Sequence, residues 1–401
     1  MSAVNPPPLT GIRVLDVSHN LAGPLTGMHL ADLGAEVVKI ERPTGDEWRD
    51  HEEIPGHPGR SRHYIQANRG KKAVCIDLTR PEGREIAHAL VRRSDVLVTN
   101  MRPGVPERLG IGWEECRRQN PHLVYCAMSA FGADGRLGGR AGYDIVLEAK
   151  AGFMAPSWHG DDQTPKSSPI PINDTALPLL ACTGILAALY ERERSGLGQR
   201  VEATILGAAV ALNAHSLVRL EDVEAPLVPR FSRAFYRAYR TSDGWLAVGA
   251  YAERLVVRFC QAIGLPDLLD DPRFVRRGDR VAHEQEIVEI VAPVMARRTT
   301  EEWDLILAEA GVPAGPVCER DDLLWEPHLR ETGLLEETTD EEVGRVTMMA
   351  PSVRLSRTPA RMGAPAGHLG ADTREVLLDL GYAPDAVDRL EADGVVVSRR
   401  E

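Results

Sequence analysis

Asp174 stands in the stretch Ile172-Asn-Asp-Thr-Ala-Leu-Pro178, a lone carboxylate at the head of an apolar run that continues to Tyr190. An ionised carboxylate can act as a covalent nucleophile. Pro178 suits a first helical turn, Leu179, Cys182, Leu186 and Leu189 fall near one helical face, and Ser195-Gly196 supplies a stop. The spacing puts Asp174 at or just before a helix N-terminus. There the helix dipole and free backbone N–H groups favour its ionised form by roughly 0.3–1 kcal/mol. Asp is also a common helix cap, so the residue by itself is consistent with a purely structural role.

The remaining chemistry-bearing residues are cations near the ends of expected strands. Lys71, Lys72, Arg102 and Arg108 fall in loops or at helix starts after strands, where open α/β sheets bind ligands. Arg42 ends a strand, and a guanidinium there can grip phosphate bidentately. The histidines at 51, 57, 63 and 88 show no metal-ligand spacing and read as solvated or structural, so no metal site is expected.

These residues need a frame, and the apolar pattern supplies one. Strands are expected at 11–18, 36–41, just after the basic turn 68–72, at 95–99, 123–129 and 200–205, alternating with helices that include 79–93, 113–119 and 206–220. Alternation of this kind predicts an α/β fold with a mainly parallel, Rossmann-like sheet covered by helices. The first βαβ unit resembles a dinucleotide site, with Glu41 near the place of a ribose-binding acid. Its glycines, however, read Ala22-Gly-Pro-Leu-Thr-Gly27 rather than GxGxxG, which argues against a nicotinamide cofactor. Residues 44–66 read as an irregular surface excursion, and the glycine-rich run 132–142 allows close backbone approach to a ligand. A second loop, 155–170, delivers the chain to Asp174.

Composition shifts at 221–229, a charged linker with prolines, where a smaller α+β domain begins. A hairpin with its turn at 242–244, helices at 253–263, 283–296 and 300–310, and a loop into a strand at 311–318 are expected within it. The expected division is 1–220 as the first part of the large domain, 221–330 as linker and small domain, and 331–401 as a return to the large domain. That last part carries a helix, a strand-like 344–350 and a final helix 373–380.

With 401 residues and 43% apolar composition the chain can bury a large core. Its 47 basic and 59 acidic residues, with no basic block, argue against nucleic acid or an anionic membrane as partner. A polyanionic ligand would therefore need locally gathered cations. Six cysteines without a CxxC pair fit free thiols in a reducing compartment, with the cytoplasm as default. The first residues lack a signal-peptide pattern, and no apolar run approaches the roughly 20 residues of a membrane span.

The segment Thr183-Gly-Ile-Leu-Ala-Ala-Leu-Tyr-Glu-Arg-Glu-Arg-Ser-Gly-Leu-Gly-Gln-Arg-Val201 closely resembles the helix and loop after the nucleophilic aspartate of class III CoA-transferases, the formyl-CoA transferase and carnitine CoA-transferase family. Leu15 through Pro24 and Ala31 through Pro43 are similar to that family's N-terminal signature. The resemblance implies that Asp174 is the nucleophile and that His19, Asn20, Leu21, Ala22 and Arg42 hold coenzyme A. Arg69 and Lys72 in the basic turn, with Asn100 and Arg102 in Asn-Met-Arg-Pro-Gly104, match positions that frame the CoA nucleotide. Arg140 and Tyr143 are the functional members of the segment matching the family's Gly-Tyr-Asp. It further implies acyl-CoA and a carboxylic acid as substrates, no permanently bound cofactor, and an interlocked homodimer.

The expected reaction is transfer of CoA from an acyl-CoA to a carboxylic acid through an aspartyl anhydride and an aspartyl-CoA thioester. Two departures narrow it. The mobile glycine loop of formyl-CoA transferase has no counterpart near 230–245, which puts formate or oxalate in doubt. Racemases similar to this family use a histidine where Tyr143 stands, and a phenol with an ordinary pKa near 10 is a poor base. A racemase or other α-proton enzyme on CoA thioesters, a nicotinamide enzyme and a non-catalytic CoA-binding subunit remain the alternatives.

Overall fold

The computed structural model describes residues 5–155, 164–218, 221 and 232–399. Most of the expected linker 221–229, the middle of the expected loop 155–170 and the end of the expected helix 206–220 lie outside the described residues. The chain divides into two compact units, Met1–Val218 with His328–Glu401, and Arg219–Pro327.

The first unit begins with β1 (Arg13–Asp16), α1 (Ala22–Asp32), β2 (Glu36–Glu41), α2 (Arg62–Ala67) and β3 (Lys71–Ile76). It continues with α3 (Pro81–Arg93), β4 (Val96–Thr99), α4 (Val105–Arg108), α5 (Trp113–Gln119) and β5 (Val124–Ser129). Then come α6 (Asp144–Lys150), α7 (Ile172–Ser195), β6 (Arg200–Thr204) and α8 (Ile205–Leu212). The second unit holds β7 (Tyr236–Arg240), β8 (Trp245–Gly249), α9 (Glu253–Ala262), α10 (Arg277–Ala282), α11 (Glu284–Met295), α12 (Thr300–Glu309) and β9 (Ala314–Pro316). After α13 (Pro327–Glu331) the chain returns through the hairpin β10 (Leu335–Asp340) and β11 (Gly344–Met349), then α14 (Thr373–Asp379), α15 (Pro384–Ala392) and β12 (Val396–Val397).

One seven-stranded sheet, in the order β12-β3-β2-β1-β4-β5-β6, organises the first unit. Six strands run parallel and β12 pairs antiparallel with β3 at the edge, Val396 opposite Ile76. Because side chains alternate along a strand, Val14, Val96 and Val98 pack on one face with Leu30, Leu177 and Ile185, whereas Leu15 and Leu97 pack on the other with Ile86, Leu377 and Val387. Thus α1, α7 and α8 cover one face, while α3, α5, α14 and α15 cover the other. This is the mixed α/β fold expected, with α2, β10, α15 and β12 among the elements the pattern missed. The second unit packs α9, α11 and α12 on the antiparallel sheet β7-β8-β9 around Phe235, Leu246, Phe259 and Trp303. Its capping box at Thr299 and Glu302 closes the start of α12.

Several expectations change. The helix expected at 79–93 starts only at Pro81, because Thr79 spends its hydroxyl on Asp77 rather than capping. The one expected at 206–220 ends at Leu212, where Asn213 donates its side-chain amide to the carbonyls of Ala209 and Ala151. The surface excursion 44–66 is tied down, since Arg49 and Arg60 are buried and paired with Glu41 and Asp340. In α7, Pro178 is the seventh residue rather than part of the first turn, and Leu179 and Leu186 face outward at 57% and 37% exposure. The buried stripe is Leu177, Ala181, Cys182, Ile185, Ala188 and Leu189. The helix is apolar on most sides, so the small residues that let it approach the sheet, not the large ones, mark its inner face. Its 24 residues are long and apolar enough to cross a membrane, contrary to expectation, yet it packs on α1, α8, β5 and β6 as a core helix does.

Candidate active site

The C-terminal ends of parallel strands are where the sheet leaves backbone groups and loops free to meet a ligand. Here they open on a cavity of about 500 Å³. The loop after β1 contributes His19, Asn20, Leu21 and Ala22 to its wall, and the loop after β4 with α4 contributes Asn100, Arg102 and Arg108. Arg140 and Tyr143 enter from the segment before α6, and Asp174 from the first turn of α7. A second hollow of about 310 Å³ shares His19, Asn20, Met101 and Val105 with the first. Arg42 lines it beside Val17, Ile40, Ile76 and Leu78.

Two expected ligand residues are not in this constellation. Arg69 is fully buried, with Nη2 2.5 Å and Nε 3.2 Å from the Asp32 carboxylate. Lys72 is paired with Glu375 at 3.0 Å and Glu36 at 3.5 Å. The reason is direction. Both lie at the start of β3, and at about 3.3 Å per residue the strand sets Lys72 about 13 Å, and Arg69 farther, from its other end. At that other end Asp77, Leu78 and Thr79 leave the strand and line the second hollow. Those residues were missed, although their position after a strand was the signal for them.

Lys71 also belongs to the structure rather than to a ligand. Its Nζ donates to Asp16 Oδ2 at 2.8 Å, the Pro24 carbonyl at 2.7 Å and Asn68 Oδ1 at 3.0 Å, all buried. Burial lowers the Lys71 pKa to about 8. Burial would raise that of Asp16, but Lys71 and then Lys39 outweigh it and hold Asp16 below its ordinary value. Lys39 in turn donates to the Ser18 carbonyl at 2.7 Å and pairs with Asp46 at 3.4 Å.

This buried charge network shapes the loop after β1. Asp46 accepts the Asn20 N–H at 3.1 and 3.2 Å, holding Asn20 at a left-handed φ of 63° that asparagine tolerates. Asn100 accepts the His19 N–H at 2.9 Å and returns its own amide to the His19 carbonyl at 2.6 Å. An expected ligand residue is thus mainly a clamp on another. Gly23 lets α1 start hard against the strand end, where a Cβ would run into the Ser18 side chain.

At the head of α7, Asp144 Oδ1 accepts the N–H groups of both Asn173 and Asp174, at 2.8 and 2.9 Å. Asp144 is therefore the cap, and Asp174, third in the helix, is free of that duty. Pro178 has no N–H to give the Asp174 carbonyl four residues back, which leaves the first turn less tightly wound. The expected stabilisation of an ionised Asp174 does not prevail. Burial foremost, and then the charge of Asp144, push its pKa up to about 7. The helix N–H groups that would have offset this already serve Asp144.

The histidines come closer together than their spacing suggests. Ligand-type atoms of His51, Glu52 and His63 lie within 4.8 Å of one another, but Glu52 Oε2 is engaged by His63 at 3.0 Å and Arg62 at 3.4 Å. Glu41, the candidate ribose-binding acid, is held by Arg49 at 2.7 and 2.8 Å and by the Tyr64 hydroxyl at 2.6 Å. It is not available to a ribose.

Comparison with known proteins identifies the family. The profile of CoA-transferase family III matches residues 9–373. Over 97% of its length the chain is 32% identical to succinyl-CoA:glutarate CoA-transferase of Mus musculus, covering 90% of that protein. Over 99% it is 34% identical to succinyl-CoA–D-citramalate CoA-transferase of Chloroflexus aurantiacus, covering 100% of it. The crystal structure of Rv3272 from M. tuberculosis, orthorhombic form, superposes with a TM-score of 0.80 at 32% identity, over 92% of this chain and 99% of that one.

Proposed function

Because the chain belongs to CoA-transferase family III, we propose that it moves CoA from a dicarboxylic acyl-CoA such as succinyl-CoA to a second short dicarboxylic acid, with Asp174 as covalent nucleophile. It is an enzyme of the class III CoA-transferase type. The observation that carries the reading is that, among the described residues, Asp174 is the one carboxylate lining the cavity, facing a wall that bears Arg102, Arg108 and Arg140. In a protein of net charge −12, such a grouping suits a polyanionic thioester. The mouse and Chloroflexus relatives, both specified for succinyl-CoA and a dicarboxylic acid, support the substrate class.

The chemistry runs in two matched halves. An Asp174 oxygen attacks the thioester carbon, the C–S bond breaks, and CoA thiolate leaves a mixed anhydride. The thiolate attacks the Asp174 carbonyl, releasing the donor carboxylate and forming an aspartyl-CoA thioester. The acceptor carboxylate attacks that thioester and releases the thiolate again. Attack of the thiolate on the acceptor's carbonyl then frees the new acyl-CoA and restores Asp174. Thioester energy is conserved if water is kept out. Backbone N–H groups of Ala141, Gly142 and Tyr143 are suited to stabilise the oxyanions, since those of Gly139 and Arg140 already bond the carbonyls of Gly132 and Leu137. The apolar hollow between Val17, Ile40 and Ile76 suits the adenine, with Arg42 beside it for phosphate.

Incubation with succinyl-CoA and hydroxylamine tests the reading. Mass spectrometry is expected to find a hydroxamate on the peptide carrying Asp174. A racemase or passive binder would leave that peptide unmodified.

We also infer a homodimer working in a reducing compartment such as the cytoplasm. All six thiols are free. Exposed apolar side chains gather on α6, α7 and α8, among them Ile145, Val146, Leu179, Leu180, Tyr190 and Val210, and a second copy would cover them. Sedimentation is expected to show a dimer; an active monomer at micromolar concentration would sink this part.

A further inference from the structure

We propose that Asp144 and Glu148 form a proton-sharing carboxyl pair behind the cavity: Asp144 carries the charge and positions Asp174, and Glu148 holds the proton. The inference rests on Asp174 being the nucleophile. The two acids stand four apart on α6, on one face, and are 8% and 1% exposed. Asp144 Oδ1 takes the two N–H groups at the head of α7. Glu148 Oε2 takes the Ser168 N–H at 2.9 Å, whereas its Oε1 is buried without a donor.

Four apart on α6, the two buried carboxyls are neighbours on the helix face, and Glu148 Oε1 has no N–H donor to meet it. Two carboxylate oxygens repel at that range and satisfy each other only with a proton between them. The donors decide which acid keeps it. Asp144 receives two N–H bonds at a helix N-terminus, Glu148 one, and Glu148 is the more deeply buried. Burial first, with Asp144's hydrogen bond and charge adding to it, raises the Glu148 pKa, in keeping with this assignment.

Neither acid lines the cavity, so both are positioning residues. Asp144 fixes the first turn of α7, and its charge makes the Asp174 carboxylate more basic and hence a stronger nucleophile once ionised. Glu148, by keeping the proton, limits the pair to one negative charge, which leaves Asp174 ionisable near neutral pH.

The test is the pH profile of kcat/KM for CoA transfer, together with the infrared band of protonated carboxyl groups in the resting enzyme. His19, Arg102, Arg108, Arg140 and Tyr143 face the cavity from the other elements and are unchanged in every variant, and α8 carries no titratable group. In Glu148→Gln the amide still donates to Asp144, so the acid limb stays near its wild-type place at about pH 7. In Asp144→Asn with Glu148→Gln the amide oxygen still caps α7 but the charge is gone. The limb then moves down by about one unit, so that at pH 6 the enzyme keeps about fivefold more of its plateau rate. KM for the CoA ester changes little and the plateau kcat falls.

A limb that stays put in the double variant overturns the proposal. So does a limb that moves equally far in Glu148→Gln alone, since the charge would then have been on Glu148. The infrared band is expected at pH 8.5 in the wild type and in Asp174→Asn, and to be lost in Glu148→Gln. Because it needs no turnover, its loss or persistence judges the pair even if Asp174 proves not to be the nucleophile.

Discussion

Asp174→Asn loses CoA transfer by several orders of magnitude in kcat while keeping its fold and its affinity for CoA. An amide matches the carboxylate in shape but cannot form an anhydride, and every later step depends on that intermediate. Stability should not suffer, because the contact Asp174 makes to the cap runs through its backbone N–H, which asparagine retains. The variant should even gain, with a definite pH dependence. Folding raises the Asp174 pKa from 3.8 to about 7, so the folded state of the wild type loses stability as pH climbs through that window and the partly buried side chain ionises. Asparagine removes this penalty. Melting temperatures of the two proteins should coincide near pH 3 and part above pH 7 in favour of the variant. The hydroxamate on this peptide disappears with the activity. Substantial transfer by a variant shown by mass to be free of deamidation would place the nucleophile elsewhere, with Asp144 and Glu148 next in line.

Lys71→Met costs about 3–5 kcal/mol, a large part of the 5–15 kcal/mol typical of a folded protein. It leaves Asp16, 0% exposed, without the partner that holds its charge, and strands the Pro24 carbonyl and the Asn68 amide oxygen as well. Restoring neutrality with Asp16→Asn beside Lys71→Met should recover a good part of the loss, since the penalty lies in the unpaired buried charge rather than in the missing pair. Denaturant unfolding of the two singles and the double measures the coupling. If Lys71→Met unfolds at the wild-type midpoint but binds CoA poorly, the lysine is a phosphate ligand after all.

The two predictions differ in how far each could be made without the fold. Asp174, the alternation of strands and helices, and the loops at 19–22, 100–108 and 140–143 are all legible in the chain, because each depends on local pattern: apolar periodicity, turn residues and a motif contiguous in sequence. The parallel sheet then carries those loops to one end, and the cavity forms where they meet. The basic turn at 69–72 looks the same from sequence, since charge and proximity to a strand are visible but the end of the strand that faces the ligand is not. Only the sheet decides that these cations enter β3 from the far side, and that Lys71 is buried on Asp16.

The state of Asp174 divides in the same way. Asp174 at a helix head is a sequence property, and the dipole argument for an easily ionised carboxylate comes from it. Asp144 lies thirty residues earlier, on another helix, and only packing of α6 against α7 brings it to the N–H groups that Asp174 would otherwise have used. Electrostatic energies depend on distance and burial, neither of which is encoded by neighbours along the chain. The proposed nucleophile was therefore legible in the sequence, and its pKa, near 7 rather than below 4, was a matter of tertiary structure.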